Sequence, residues 1–161
     1  EEVKLAQACE LGDEALFKAL MAGHPDLAHT LSGAEHAKLA NAAQNNNTSA
    51  VRLMLQAGWP VDARGQHGAT PLHWAGFHGN VEMAEIILRH HPPLEVLDAS
   101  FDATPLGWAI HGSENGWHRA TGNYAATVEA LLKAGARLPE NIKGTPEVRE
   151  VLRRHRVKEK G

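Results

Sequence analysis

Thr70-Pro71-Leu72 recurs as Thr104-Pro105-Leu106, 34 residues further along the chain. The tripeptide is a helix start. A threonine hydroxyl can satisfy one of the free amides of a first turn. Proline at the next position loses nothing, because its missing N–H would be unpaired there. A second feature keeps the same spacing: Leu16–Gly23, Val51–Gly58 and Val128–Gly135 share one pattern of apolar positions ending in glycine. Glycine there takes the left-handed conformation that closes a helix. Ala84–His91 holds the same place, with His91 where the others have glycine. Self-similarity at a fixed spacing of this size signals stacked units, each unable to bury its apolar face alone.

Taken in order, residues 1–33 read as a first helix pair, 34–65 as a second, 66–99 as a third and 100–137 as a fourth. The first lacks Thr-Pro, as terminal units of an array often do. The second turns at Asn45-Asn46-Asn47, with Asn47 or Thr48 capping its second helix. Pro92-Pro93 ends the third. The fourth carries ten extra residues, Glu114–Asn123, between its helices. Gly107 stands in its first helix where the third unit has His73, and a mid-helix glycine costs about 1 kcal/mol against alanine. A group packed close on the Gly107 backbone is expected. Residues 138–156 form a cap: Thr145-Pro146 restarts a helix with Val148, Val151 and Leu152 as its apolar stripe. Residues 157–161 are expected to fray.

Composition narrows the function. Net charge is −3 with a pI of about 6.4. No basic face invites nucleic acid, and Arg153-Arg154-His155-Arg156 reads as a solvated helix end. Cys9 is the one cysteine, which excludes an internal disulfide, and it reads as a small buried side chain. No apolar run approaches the roughly 20 residues that span a bilayer. The chain begins Glu1-Glu2-Val3 without methionine, so the missing signal pattern does not decide its compartment; cytoplasmic residence is the expectation. Eleven histidines are scattered, without HExxH or zinc-like spacing. His78 and His111 form the one pair placed to approach each other across repeats, and no metal is expected. Ser113 lies in no nucleophile elbow, and Lys143-Gly144-Thr145 lacks the glycines of a phosphate loop. Neither an enzyme nor a cofactor is expected.

The stretch Gly68–Gly79, with Thr-Pro-Leu-His-x-Ala over 70–75, resembles an ankyrin repeat. The resemblance covers 1–156 by period and 66–137 by strong motif. It implies one all-α domain, 1–161: a solenoid of about four helix pairs plus a C-terminal capping helix, with turns projecting as fingers. The split fourth repeat looks like those of some bacterial ankyrin proteins. The family implies that His73 hydrogen-bonds between repeats. It also implies a monomeric protein–protein interaction module that uses its concave face and fingers. Carried over onto this sequence, the contacts are Gln66, His67 and Ala69 on one finger and Ser100, Phe101 and Ala103 on the next. Gln44, Asn45, Phe77, His78 and His111 contribute from the inner helices. Trp74 and Trp108, at equivalent positions, read as packing between repeats. Trp117, His118, Arg119 and Tyr124 are the candidates for a second site away from the fingers; Trp117 is expected instead to fold back over the Gly107 face and plug the repeat, which leaves Arg119 as the exposed contact. A small-ligand or enzyme-accessory site at 114–124, and a structural spacer, are the alternatives. The partner is another protein, with no nucleic acid or membrane.

Overall fold

The computed structural model describes the backbone of residues 2–160 and the side chains of residues 4–158. The helices are α1 (Glu2–Leu11), α2 (Glu14–Gly23), α3 (Gly33–Gln44), α4 (Thr48–Ala57) and α5 (Pro71–His78). They continue as α6 (Val81–Leu88), α7 (Pro105–Asn115), α8 (Tyr124–Lys133) and α9 (Pro146–Lys160). No strand occurs among the described residues.

The second helix of every pair starts on the same device. Asp13, Asn47, Asn80 and Asn123 each accept a hydrogen bond from the backbone N–H three residues on, at 3.0 to 3.2 Å. A side-chain oxygen here satisfies an amide that has no partner within the helix. Asn80 also reaches back one unit, donating to Asn46 Oδ1 and Thr48 Oγ1 at 2.8 Å each. Gly58 (φ 113°) and Gly135 (φ 114°) close α4 and α8 in the left-handed region, and His91 (φ 54°) adopts the same hand where glycine is missing. Gly23 differs: it stays inside α2, and His24 closes that helix instead.

Stacking follows from these starts. α5 packs between α3 and α7, α6 between α4 and α8, and α9 closes the end against α8. Leu5, Leu39, Leu53, Leu72, Leu131 and Leu152 are fully enclosed. His73 is buried, and its Nδ1 accepts from the Thr70 N–H at 3.0 Å. That fixes the tautomer, so Nε2 donates to the Ala103 carbonyl of the next unit at 2.9 Å. Leu55 and Leu132 are buried, whereas Leu88 at the equivalent position is half-buried on the outer surface. Cys9 is enclosed, and burial pushes its thiol up to about 12, so it is an inert apolar group. α9 continues as helix through Lys160 rather than fraying after 156, fastened by a 2.7 Å contact from His155 Nε2 to Glu129. Glu1 and Gly161, at the expected ends, lie outside the described residues.

Candidate functional site

Trp74 and Trp108 occupy the same position in α5 and α7, so stacking the helices brings their rings edge to face, 5.0 Å between centroids. Phe77, one turn along α5, stands 5.8 Å from Trp108. Two aromatics from outside these helices complete the group. Phe101 comes from the finger, 6.1 Å from Trp108, and Trp117 from the insertion, 5.5 Å from Trp74 and 5.3 Å from Phe77. Between them lies a cleft of about 430 Å³, with His67 and His111 at its edges. Trp74 and Trp108 are buried at its base, but Phe101 is 68% exposed and Trp117 60% exposed.

Asp98 holds the finger in place. It is 2% exposed. Oδ2 accepts from the Ser100 and Phe101 N–H groups at 3.0 and 2.6 Å. Oδ1 accepts from the Ala103 N–H at 2.8 Å and from Trp108 Nε1 at 2.9 Å. Burial alone would raise this carboxyl, but the hydrogen bonds win and hold it below the usual carboxylate value. Asp98 therefore sets both Phe101 and Trp108. The neighbouring finger is tied in by Ala99 N–H donating to the His67 carbonyl at 2.7 Å and by Arg64 donating to the Gly68 and Leu97 carbonyls at 2.8 Å.

The insertion folds back onto α5. α7 runs on to Asn115, and the following loop crosses the end of α5. The approach requires glycine. A Cβ on Gly112 would stand 2.5 Å from the Phe77 carbonyl oxygen, and one on Gly122 would strike the His78 carbonyl. Tyr124 Oη then donates to the Phe77 carbonyl and Asn123 N–H to the Gly79 carbonyl, at 2.7 and 2.8 Å.

These contacts bring together residues expected to lie apart. Trp117 lies over Trp74 and Phe77, so this residue of the insertion supplies a wall of the finger-side cleft. Gly107 opens onto this cleft, and nothing approaches its hypothetical Cβ closer than 3.5 Å; the close packing falls on Gly112 instead. His67, Phe77, Phe101, Ala103 and His111 line the cleft. Gln66 and Ser100 are exposed beside it, Ser100 Oγ lying 3.0 Å from His67 Nδ1. Gln44 is half-buried and donates to Gln66 Oε1 at 2.8 Å, and Asn45 is exposed at the turn after α3.

Three residues are placed inside the protein. Ala69 has 0% exposure beneath its finger. Tyr124 is buried, its hydroxyl pushed up to about 12 by that burial. His78 is 1% exposed and bonded through Nε2 to the Gln44 carbonyl at 2.9 Å; burial first, then His118, lowers its pKa to about 4. The imidazole beside it is His118, 4.8 Å away and half-buried, whereas His111 is exposed in the cleft. Arg119 is exposed but bends back to the Gly116 carbonyl at 3.1 Å. Asp98 is not legible as a site residue in the sequence, where Trp74 and Trp108 read as packing alone. The equivalent placement of the two tryptophans is the only trace of the cleft base in the sequence.

A stack of helix pairs carrying an aromatic cleft is a repeat scaffold of the recognition type. The family model described as ankyrin repeats (3 copies) matches residues 5–98 and 39–142, and the chain belongs to the ankyrin-repeat family. It is 36% identical over 95 residues to palmitoyltransferase AKR1 of Lachancea kluyveri, covering 57% of this chain and 13% of that protein. It is 26% identical over 124 residues to a palmitoyltransferase of Drosophila melanogaster, covering 77% of this chain and 18% of that protein. With an ankyrin repeat and LEM domain-containing protein 1 homolog of Caenorhabditis elegans it shares 42% identity over 50 residues, 31% of this chain and 7% of that protein. The chain thus spans less than a fifth of each of these relatives. All three come from eukaryotes, and nothing in them supports the bacterial qualifier. Ankyrin repeats are a non-catalytic interaction fold, and the palmitoyltransferase names belong to the relatives. No helix among the described residues is long and apolar enough to cross a membrane.

Proposed function

We propose that this chain is a protein-recognition module whose aromatic cleft receives an apolar anchor side chain of a partner protein. One observation carries the reading: Phe101 and Trp117, from a finger and from the insertion, both stay largely exposed while converging on the buried Trp74 and Trp108. Exposed aromatics on a rigid base are what binding hot spots are made of. A mere spacer would gain nothing from leaving them in water. In this reading residues 1–161 act as one domain with units of about 1–33, 34–65, 66–99 and 100–137, closed by a cap at 138–156. Partner contacts centre on His67, Phe77, Phe101, Ala103, His111 and Trp117, with Gln44, Asn45, Gln66 and Ser100 at the margin. The chain acts in this reading as a cytoplasmic monomer; the net charge of −3 supports a protein rather than a nucleic-acid partner.

The test is selection of binding peptides from a random library displayed on phage, followed by affinity measurement on variants. Phe101→Ala and Trp117→Ala should each weaken a selected peptide by at least about 2 kcal/mol. Peptides that bind both variants as tightly as the parent would place recognition elsewhere.

A further inference from the structure

A second cluster lies behind the cleft, where the insertion meets the end of α5. His78 Nε2 faces a backbone carbonyl, that of Gln44, at 2.9 Å. A carbonyl only accepts, so Nε2 carries the hydrogen and Nδ1 keeps its lone pair. That Nδ1 is fully buried and has no hydrogen-bond partner. A buried polar atom without a partner calls for an explanation. The ring beside it is His118, with centroids 4.8 Å apart and planes at 78°. Both histidines line a second cleft of about 310 Å³ whose other walls include Asn46, Glu82 and Thr121.

These features fit metal ligation. A metal-bound histidine characteristically donates its other ring N–H to a carbonyl or carboxylate, which fixes the tautomer and orients the ring. His78 already has that arrangement. Two imidazoles on one tetrahedral ion, with metal–nitrogen bonds of about 2.0 Å, bring their ring centroids to about 5 Å of each other. The observed separation matches. Imidazole nitrogen suits copper, zinc and nickel, with Cu²⁺ held most tightly. We infer that His78 and His118 form a two-histidine site for a divalent transition-metal ion, the remaining positions being filled by oxygen donors from water or from the cleft wall. His118 belongs to the insertion and His78 to α5, so the ion would tie the two together. Trp117, whose ring lies 5.7 Å from that of His78, would be fixed with them.

The test is titration of the chain with Cu²⁺ at pH 7.5, followed by electron paramagnetic resonance and tryptophan emission. One equivalent should bind with a spectrum showing two nitrogen ligands and should quench the emission. His118→Ala, on a half-buried loop position, should leave circular dichroism unchanged and weaken binding by at least about tenfold. A variant carrying His90→Ala and His91→Ala should bind like the parent. Full affinity in His118→Ala, or loss in the His90/His91 variant, would assign the metal to other histidines and overturn the site. No stoichiometric binding would leave His78 and His118 as a simple ring contact and overturn it equally. Peptide recognition by the aromatic cleft is measured with chelator present, so its success or failure is read separately.

Discussion

Removing the Asp98 carboxylate should loosen the finger that carries Phe101 without touching the apolar core. Asp98→Asn keeps the shape but replaces one oxygen by an amino group that cannot accept. The cheaper orientation leaves the amide oxygen on the buried Ala103 N–H and Trp108 Nε1 and turns the amino group toward the Ser100 and Phe101 N–H groups. Those two residues are exposed, so water recovers part of the loss. Hydrogen bonds to a charged acceptor are worth about 1.5–3 kcal/mol each, and neutral ones about 1. Losing the outer two with partial rehydration, and weakening the inner two, gives a cost of about 2–3 kcal/mol. Asp98→Ala also orphans the indole N–H of Trp108, which is buried, and should cost about 4 kcal/mol. Urea denaturation followed by tryptophan emission measures both. In a Trp108→Phe background the indole donor is already gone, so Asp98→Ala should cost about 1–2 kcal/mol less than in the parent. A loss below about 0.5 kcal/mol for Asp98→Asn, or no coupling to Trp108, would refute the clamp.

Other outcomes follow from the same packing. Gly112→Ala forces a Cβ onto the Phe77 backbone and should destabilise by about 1–3 kcal/mol. Gly107→Ala meets nothing closer than 3.5 Å and should stabilise by up to about 1 kcal/mol; thermal melting that ranks the two the other way refutes the register of α5 on α7. Leu55→Ala should cost about 2–5 kcal/mol and Leu88→Ala less than half as much, since Leu88 is only half-buried; equal losses in urea would refute that difference. Burial lowers the pKa of both His73 and His78, so the unfolded chain binds protons that the native one refuses. Stability should therefore be full above pH 6.5 and fall as pH drops from there toward about 4, by up to about 3 kcal/mol from His78 alone. A urea midpoint that stays flat between pH 7 and 4.5, with chelator present, would refute it.

What the sequence makes legible here is local chemistry that repeats. Thr70-Pro71 and Thr104-Pro105 start helices because capping and a fixed φ act within one turn, and the asparagine caps at 47, 80 and 123 act over three residues. His91 takes the left-handed stop at φ 54° where α4 and α8 end on glycine. The candidate site is legible only in part, because its key contacts are long-range. Tyr124 reaches back 47 residues to Phe77, and His73 spans 30 residues to Ala103. Periodicity assigns a residue to a helix face, but it does not say what will later cover that face. His78 therefore reads as a groove residue until the insertion lies across it. For the same reason a helix glycine announces that something must come close without saying where. Gly107 and Gly112 look alike in the sequence, and the register of α5 against α7 decides between them. The Phe77 main chain sits at Gly112, and the open cleft lies at Gly107. Gly112 of α7, Gly122 of the insertion and Trp117 are one arrangement: the close backbone approach at the two glycines lets Trp117 reach Trp74, and so turns an extra loop into a wall of the cleft.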